Sequence, residues 1–134
     1  MQFAVPPRGV PSAATLRRWA RAAKVGLKHV NLRVVGGREG RLLNRTFRKK
    51  DRPTNVLSFS YGEEGDVVLC HPVIAREARA QRKPLAAHYA HLVVHGMLHL
   101  GGHEHGNKAQ ASRMEAAEIR LLARLGFRNP YTIE

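Results

Sequence analysis

The chain has 134 residues, 43% of them hydrophobic and 25% charged, a size and balance that suit one soluble domain with its own core. Lys and Arg total 23 against 10 Asp and Glu, for a formal net charge of +13 and a pI near 11.2; such a field disfavours cationic partners and favours polyanions, nucleic acid first. The one cysteine excludes an intrachain disulfide, no apolar run reaches the roughly 20 residues that span a bilayer, and Pro6-Pro7 interrupts any leader-like start, so the expectation is a single domain over residues 1–134, in the reducing cytoplasm and off the membrane.

In chain order, Gln2 to Val5 reads as a short edge strand stopped by the two prolines. Ser12 is placed to cap a helix whose apolar stripe is Leu16, Trp19, Ala20 and Ala23, with Arg17, Arg18 and Arg21 facing out. His29 to Val35 alternates, with Val30, Leu32 and Val34 on one side, as a half-buried strand does. Gly36-Gly37 reads as a turn, and Glu39 to Lys49 as a short helix with Leu42, Leu43, Thr46 and Phe47 inward. Residues 50–54 form a loop. Asn55 to Ser60 and Asp66 to Cys70 read as a hairpin about the turn 61–65, with Cys70 a small buried residue. Helices are expected over Pro72 to Gln81, from Pro84 or Leu85 to about Leu100, and from Asn107 to Leu125. Leu92, Val93, Met97 and Leu98 supply core packing in the second; Met114, Ala117, Ile119, Leu121 and Leu122 are apolar positions of the third, with Gly126 as its stop. The sum is an α+β domain: a short mixed β-sheet covered by about five helices, one of them a zincin-like metal-binding helix.

Four of the eight histidines fall within residues 95–105. His95 and His99 are four apart, so on a helix they stand one turn above the other on one face. Gly101-Gly102 can end that helix and turn the chain back, which lets a histidine beyond the turn approach the same metal; His103 and His105 both qualify by spacing. Three imidazoles with an open fourth position make a catalytic zinc site, and nickel and copper also bind imidazole well. Read as H-x-x-x-H-x-x-G-x-x-H, the run has metzincin spacing, but the residue after the first histidine, the general base of those proteases, is here Gly96. Glycine has no group to activate water, which argues against a peptidase. His91 extends the row by one turn, as a structural residue beside the site or as a group that backs the ligands or faces substrate.

A second constellation lies upstream. Arg45, Arg48, Lys49, Lys50 and Arg52 place five cations within eight residues, beside Phe47 and Phe59. Such a cluster can hold phosphates, with arginine clamping one through paired hydrogen bonds; it equally suits a solvated helix C-terminus.

Taken together, the segments Asn44 to Phe59, Gly65 to Leu69 and His91 to His105 resemble the signatures of the YbeY family of bacterial rRNA maturation factors, and the last helix, with Arg113-Met114-Glu115 and Glu118-Ile119, fits as well. The resemblance implies a metal-dependent, single-strand-specific endoribonuclease acting in 16S rRNA 3′-end maturation and ribosome quality control. It implies His95, His99 and His105 as the metal ligands, one zinc per chain, and Arg48 as the arginine on the substrate phosphate; from the basic cluster itself, Arg45, Lys49 and Lys50 are expected to bind substrate beside it. The implied partners are a 16S rRNA precursor and the small ribosomal subunit. Two departures stand out: His103-Glu104 where the family commonly has Tyr-Asp, and Asn55 where many members have Asp. Glu104 and Asp66 are candidate general bases. The rival reading is a non-catalytic, RNA-binding assembly factor whose metal is structural, with His103 as a fourth ligand.

Overall fold

A computed structural model describes residues 2–3, 9–23, 26–48, 54–103 and 106–132, with backbone alone for 2–3 and 46–48. The elements are β1 (Gln2–Phe3), α1 (Ala13–Ala22), β2 (His29–Val35), α2 (Gly37–Arg48), β3 (Val56–Tyr61), β4 (Glu64–Cys70), α3 (His71–Ala80), α4 (Leu85–Leu100) and α5 (Lys108–Arg124). The four strands form one mixed sheet in the order β1-β2-β4-β3. β1 and β4 run parallel to β2, and β3 pairs antiparallel with β4. This is the expected α+β architecture of a short mixed sheet with five helices.

Local chemistry explains most boundaries. Ser12 Oγ accepts from the Thr15 amide at 3.2 Å and opens α1, and Asn107 Oδ1 accepts from the Gln110 amide at 2.8 Å and opens α5. α5 closes on Gly126, whose φ is +91°, with the Phe127 amide reaching back to the Leu122 carbonyl at 2.8 Å. Three expectations need correction. α2 starts at Gly37, not Glu39, because the Gly36 carbonyl accepts from the Gly40 amide at 3.0 Å and Arg33 Nε grips Glu39 in the first turn at 2.9 Å. The hairpin turn shortens to Gly62-Glu63, since Tyr61 and Glu64 still pair across it. Leu42 is half exposed, because α2 buries the stripe of Gly40, Leu43 and Asn44 instead. The side chains of Thr46 and Phe47, and the expected strand residues Ala4 and Val5, lie outside what the structure describes.

Both faces of the sheet are covered, so neighbouring residues that point opposite ways are buried alike: Val34 with Val35, Leu69 with Cys70. On one face Leu32, Val34, Val67 and Leu69 pack with α1, α4 and α5. On the other, Val35, Leu57, Val68 and Cys70 pack with Leu43 of α2 and Val73 of α3.

α4 is the hub. Nine of its sixteen residues are buried, among them Tyr89, Leu92, Val93, Met97 and Leu98, so it has no broad solvent face and sits among the sheet, α1, α3 and α5. At Gly96 it lies close against the sheet. The Gly96 carbonyl accepts from Ser58 Oγ at 3.0 Å, and a Cβ there would lie 2.9 Å from Val67 Cγ1 and 3.1 Å from Ser58 Oγ. Val67 is buried and stiff at χ1, so it cannot swing aside. Gly96→Ala therefore overpacks the contact and costs about 1–3 kcal/mol. Thermal melting of the variant is expected to drop by several degrees; an unchanged midpoint would show that the helix is not pressed on the sheet there.

Candidate metal centre

Along α4 the polar exceptions to an apolar helix are His88, His91, His95 and His99, spaced three, four and four apart on one stripe. Successive rings meet edge to face, with centroids 6.4, 6.3 and 4.7 Å apart. Side-chain exposure rises from 5% at His88 through 14% at His91 to 26% at His95. The stripe thus opens toward the C-terminal end of α4, where the closest pair, His95 and His99, stands.

Beneath the middle of the stripe lies Glu118 of α5, which has no exposure at all. It belongs to a buried row with Met114, Ala117, Leu121 and Leu122. His95 Nδ1 lies 2.6 Å from Glu118 Oε2 and His91 Nε2 3.1 Å from Oε1, while the Tyr131 hydroxyl also donates to Oε1. Burial alone would raise this carboxyl, but hydrogen bonds from His91, His95 and Tyr131 outweigh it and hold the group down at about 2. An ionised carboxylate only accepts, so His95 Nδ1 is the donor in that contact. Tyr131 is held in turn: Asn129 Oδ1 accepts from its amide at 2.8 Å, and Lys83 Nζ donates to the Pro130 carbonyl at 2.7 Å.

His91, His95 and Glu118 bring three ligand-type atoms within 4.8 Å of one another. The 2.6 Å between His95 Nδ1 and Glu118 is a direct hydrogen bond; two atoms sharing one zinc at about 2.1 Å each stand roughly 3.3 Å apart. The histidines of the stripe and Glu118 together offer donors of the kinds that bind a divalent metal.

The turn after α4 is built as the two glycines suggest. Gly102 has φ +98°, and the His103 amide bonds back to the Leu98 carbonyl at 3.0 Å. His103, Gly101, Gly102, Gln110 and Arg113 line a pocket of about 290 Å³. His105, Glu104, Lys49, Lys50 and the side chain of Arg48 lie outside the described residues. Arg45 is exposed on α2, across the sheet from α4. Asp66 accepts from the Tyr61 hydroxyl at 2.8 Å. It alternates with Val67, which faces Gly96, so it points to the α2 side and cannot serve the histidines as a base.

Glu118 and Tyr131 are the residues in contact with the histidine stripe that sequence reasoning missed. The signal for Glu118 was present: a carboxylate four residues after Met114 and three before Leu121, in the apolar stripe of α5, requires a buried partner. Tyr131 gave none, since it follows the helix stop and Pro130.

Residues 13–126 match the profile of the family described as Endoribonuclease YbeY. The chain belongs to the YbeY family. It is 55% identical over 125 residues to the Endoribonuclease YbeY of Aromatoleum aromaticum, covering 90% of this chain and 81% of that protein. It is 46% identical over 138 residues to that of Nitrosomonas eutropha, covering 100% and 98%. A Thermotoga maritima protein solved in solution shares the fold with a TM-score of 0.53 at 23% identity, over 98% of both chains.

The YbeY signature departure at Asn55 has a local counterpart. Asn55 Nδ2 donates to Glu77 Oε1 at 3.0 Å, and the same oxygen meets His88 Nε2 at 3.0 Å. An Asp at position 55 would set two carboxylates against each other there. Burial holds His88 below the ordinary imidazole value against a partial rise from Glu77, and burial does the same to His71. Between those lowered folded values and about 6.5 the unfolded chain binds protons that the native chain refuses. Stability therefore falls as pH drops through about 6.5 and keeps falling until the folded values are passed. The urea midpoint of the native protein should drop further between about pH 7.5 and about pH 5.5 than that of His88→Gln; equal drops would show that His88 does not contribute.

Proposed function

We propose that this chain is a metal-dependent endoribonuclease, specific for single strands, that acts in 16S rRNA 3′-end maturation and ribosome quality control. The observation that carries the reading is the histidine pair His95 and His99 at the open end of the α4 stripe, in a chain whose relatives are named Endoribonuclease YbeY. His95, His99 and His105 would hold one zinc ion, for which three imidazoles are a suitable donor set. When bound, the metal supplies Lewis acidity toward a phosphoryl oxygen.

The chain's own residues do the rest. Arg48, with Arg45, Lys49 and Lys50, binds the RNA backbone, and Arg48 offsets charge that develops on the scissile phosphate. The formal net charge of +13 supplies sequence-independent affinity that weakens as salt rises. A peptidase is disfavoured on packing as well as on chemistry: position 96 is pressed against Val67 and Ser58, so no carboxylate fits where a zinc protease keeps its base. No helix among the described residues is long and apolar enough to cross a membrane, and the reading places the whole chain, as one domain, in the cytoplasm with the small ribosomal subunit.

Cleavage of a small-subunit rRNA 3′-end fragment tests this. Purified protein should cut it, lose the activity to a chelator and regain it with zinc, while His99→Ala stays inactive. Arg48→Ala should keep its fold and metal and lose about 100-fold or more in rate, the scale of removing one charge-stabilising donor. Cleavage unchanged in His99→Ala, or metal-loaded protein that never cuts free or ribosome-bound rRNA, would contradict the reading and favour an assembly factor.

A further inference from the structure

We infer that Glu118 and Tyr131 form a clamp that positions the metal ligand His95: Glu118 fixes the imidazole with its proton on Nδ1 and its lone pair on Nε2, and Tyr131 holds the carboxylate in that register. The inference rests on the reading of His95 as a metal ligand. It concerns two residues from separate elements, α5 and the segment after it, that converge on one ring.

The geometry is specific. Glu118 Oε2 faces His95 Nδ1 at 2.6 Å, and Oε1 takes His91 Nε2 at 3.1 Å together with the Tyr131 hydroxyl. Both carboxylate oxygens are thus engaged by donors, and the side chain has no exposure. A buried carboxylate among Met114, Ala117, Leu121 and Leu122 is costly to fold. Replacing it by an apolar residue would satisfy α5 and remove the carboxylate that meets His95 Nδ1. A carboxylate behind a ligating imidazole holds the ring's orientation and raises its basicity, and losing such a partner typically weakens metal binding 10- to 100-fold. Tyr131 adds a route by which the C-terminal segment bears on the metal: its hydroxyl bonds Oε1, and its ring packs edge to face on His91 with centroids 5.4 Å apart. Lys83, through the Pro130 carbonyl, ties that segment to the loop before α4.

The test uses the full chain as wild type, Glu118→Gln, Tyr131→Phe, His91→Gln and His99→Ala. Zinc affinity is measured by competition with a chromophoric chelator, and the His95 tautomer of metal-free protein by ¹⁵N NMR. Wild type should bind one zinc and show the Nδ1–H form of His95. Glu118→Gln should bind zinc roughly 10- to 100-fold more weakly and lose part of that tautomer preference. Tyr131→Phe should shift both readouts the same way by less, roughly 3- to 10-fold in affinity, and it carries the test if Glu118→Gln does not fold. A merely structural role would lower the melting midpoint without moving the tautomer. Wild-type affinity and an unchanged tautomer in either folded variant would overturn the clamp while leaving the histidine ligands standing. Zinc lost from His91→Gln and Glu118→Gln but kept by His99→Ala would put the metal on His91, His95 and Glu118 and overturn both readings. A wild type that binds no zinc would overturn the ligand reading itself, and the clamp with it.

Discussion

The close approach of α4 to the sheet at Gly96 sets the terms for the rest of the molecule. With Ser58 bonded to the Gly96 carbonyl and Val67 in contact below, α4 lies against β3 and β4. It is then enclosed by α1, α3 and α5 on its remaining sides. A helix in that position must be apolar nearly all round. The one stripe that escapes the rule carries His88, His91, His95 and His99; Glu77 meets His88, Glu118 meets His91 and His95, and exposure rises from His88 to His95. The contact at Gly96 removes the space in which a hydrolytic glutamate would sit.

Electrostatics then separate the two ends of the stripe. At the buried end, His88 is held neutral by desolvation and shares Glu77 with Asn55. In the middle, Glu118 keeps its charge because three donors outweigh the cost of burial. At the open end, His95 and His99 stand ring to ring, next to the turn that carries the chain toward His105. The carboxylate contacts are buried and the His95–His99 pair lies at the open end, an order that would suit a ligand set needing rigid backing and an accessible face.

Much of this was legible in the residues. Ser12, Asn107 and Gly126 marked helix ends because capping is a local event, and the strand at His29–Val35 followed from alternation. The His95–His99 pair was readable because a four-residue step on a helix needs no tertiary knowledge. What escaped depended on packing from elsewhere. Leu42 looked inward by hydrophobicity, yet α2 turns Gly40, Leu43 and Asn44 to the sheet because the small Gly40 lets the helix lie against Cys70 and Val35. Glu118 stood out only as a carboxylate in the apolar stripe of α5; its partners His91, His95 and Tyr131 come from other parts of the chain and are visible only in the fold. Asp66 looked available as a base until the pairing of β3 with β4 put it on the far face beside Tyr61.

The most direct measurement is an experimental structure of the zinc-loaded chain. The account predicts zinc bound by His95 through Nε2, by His99 and by His105, with Glu118 still on His95 Nδ1 and outside the coordination shell. Zinc held between His91, His95 and Glu118, or bound away from the α4 stripe, would contradict it.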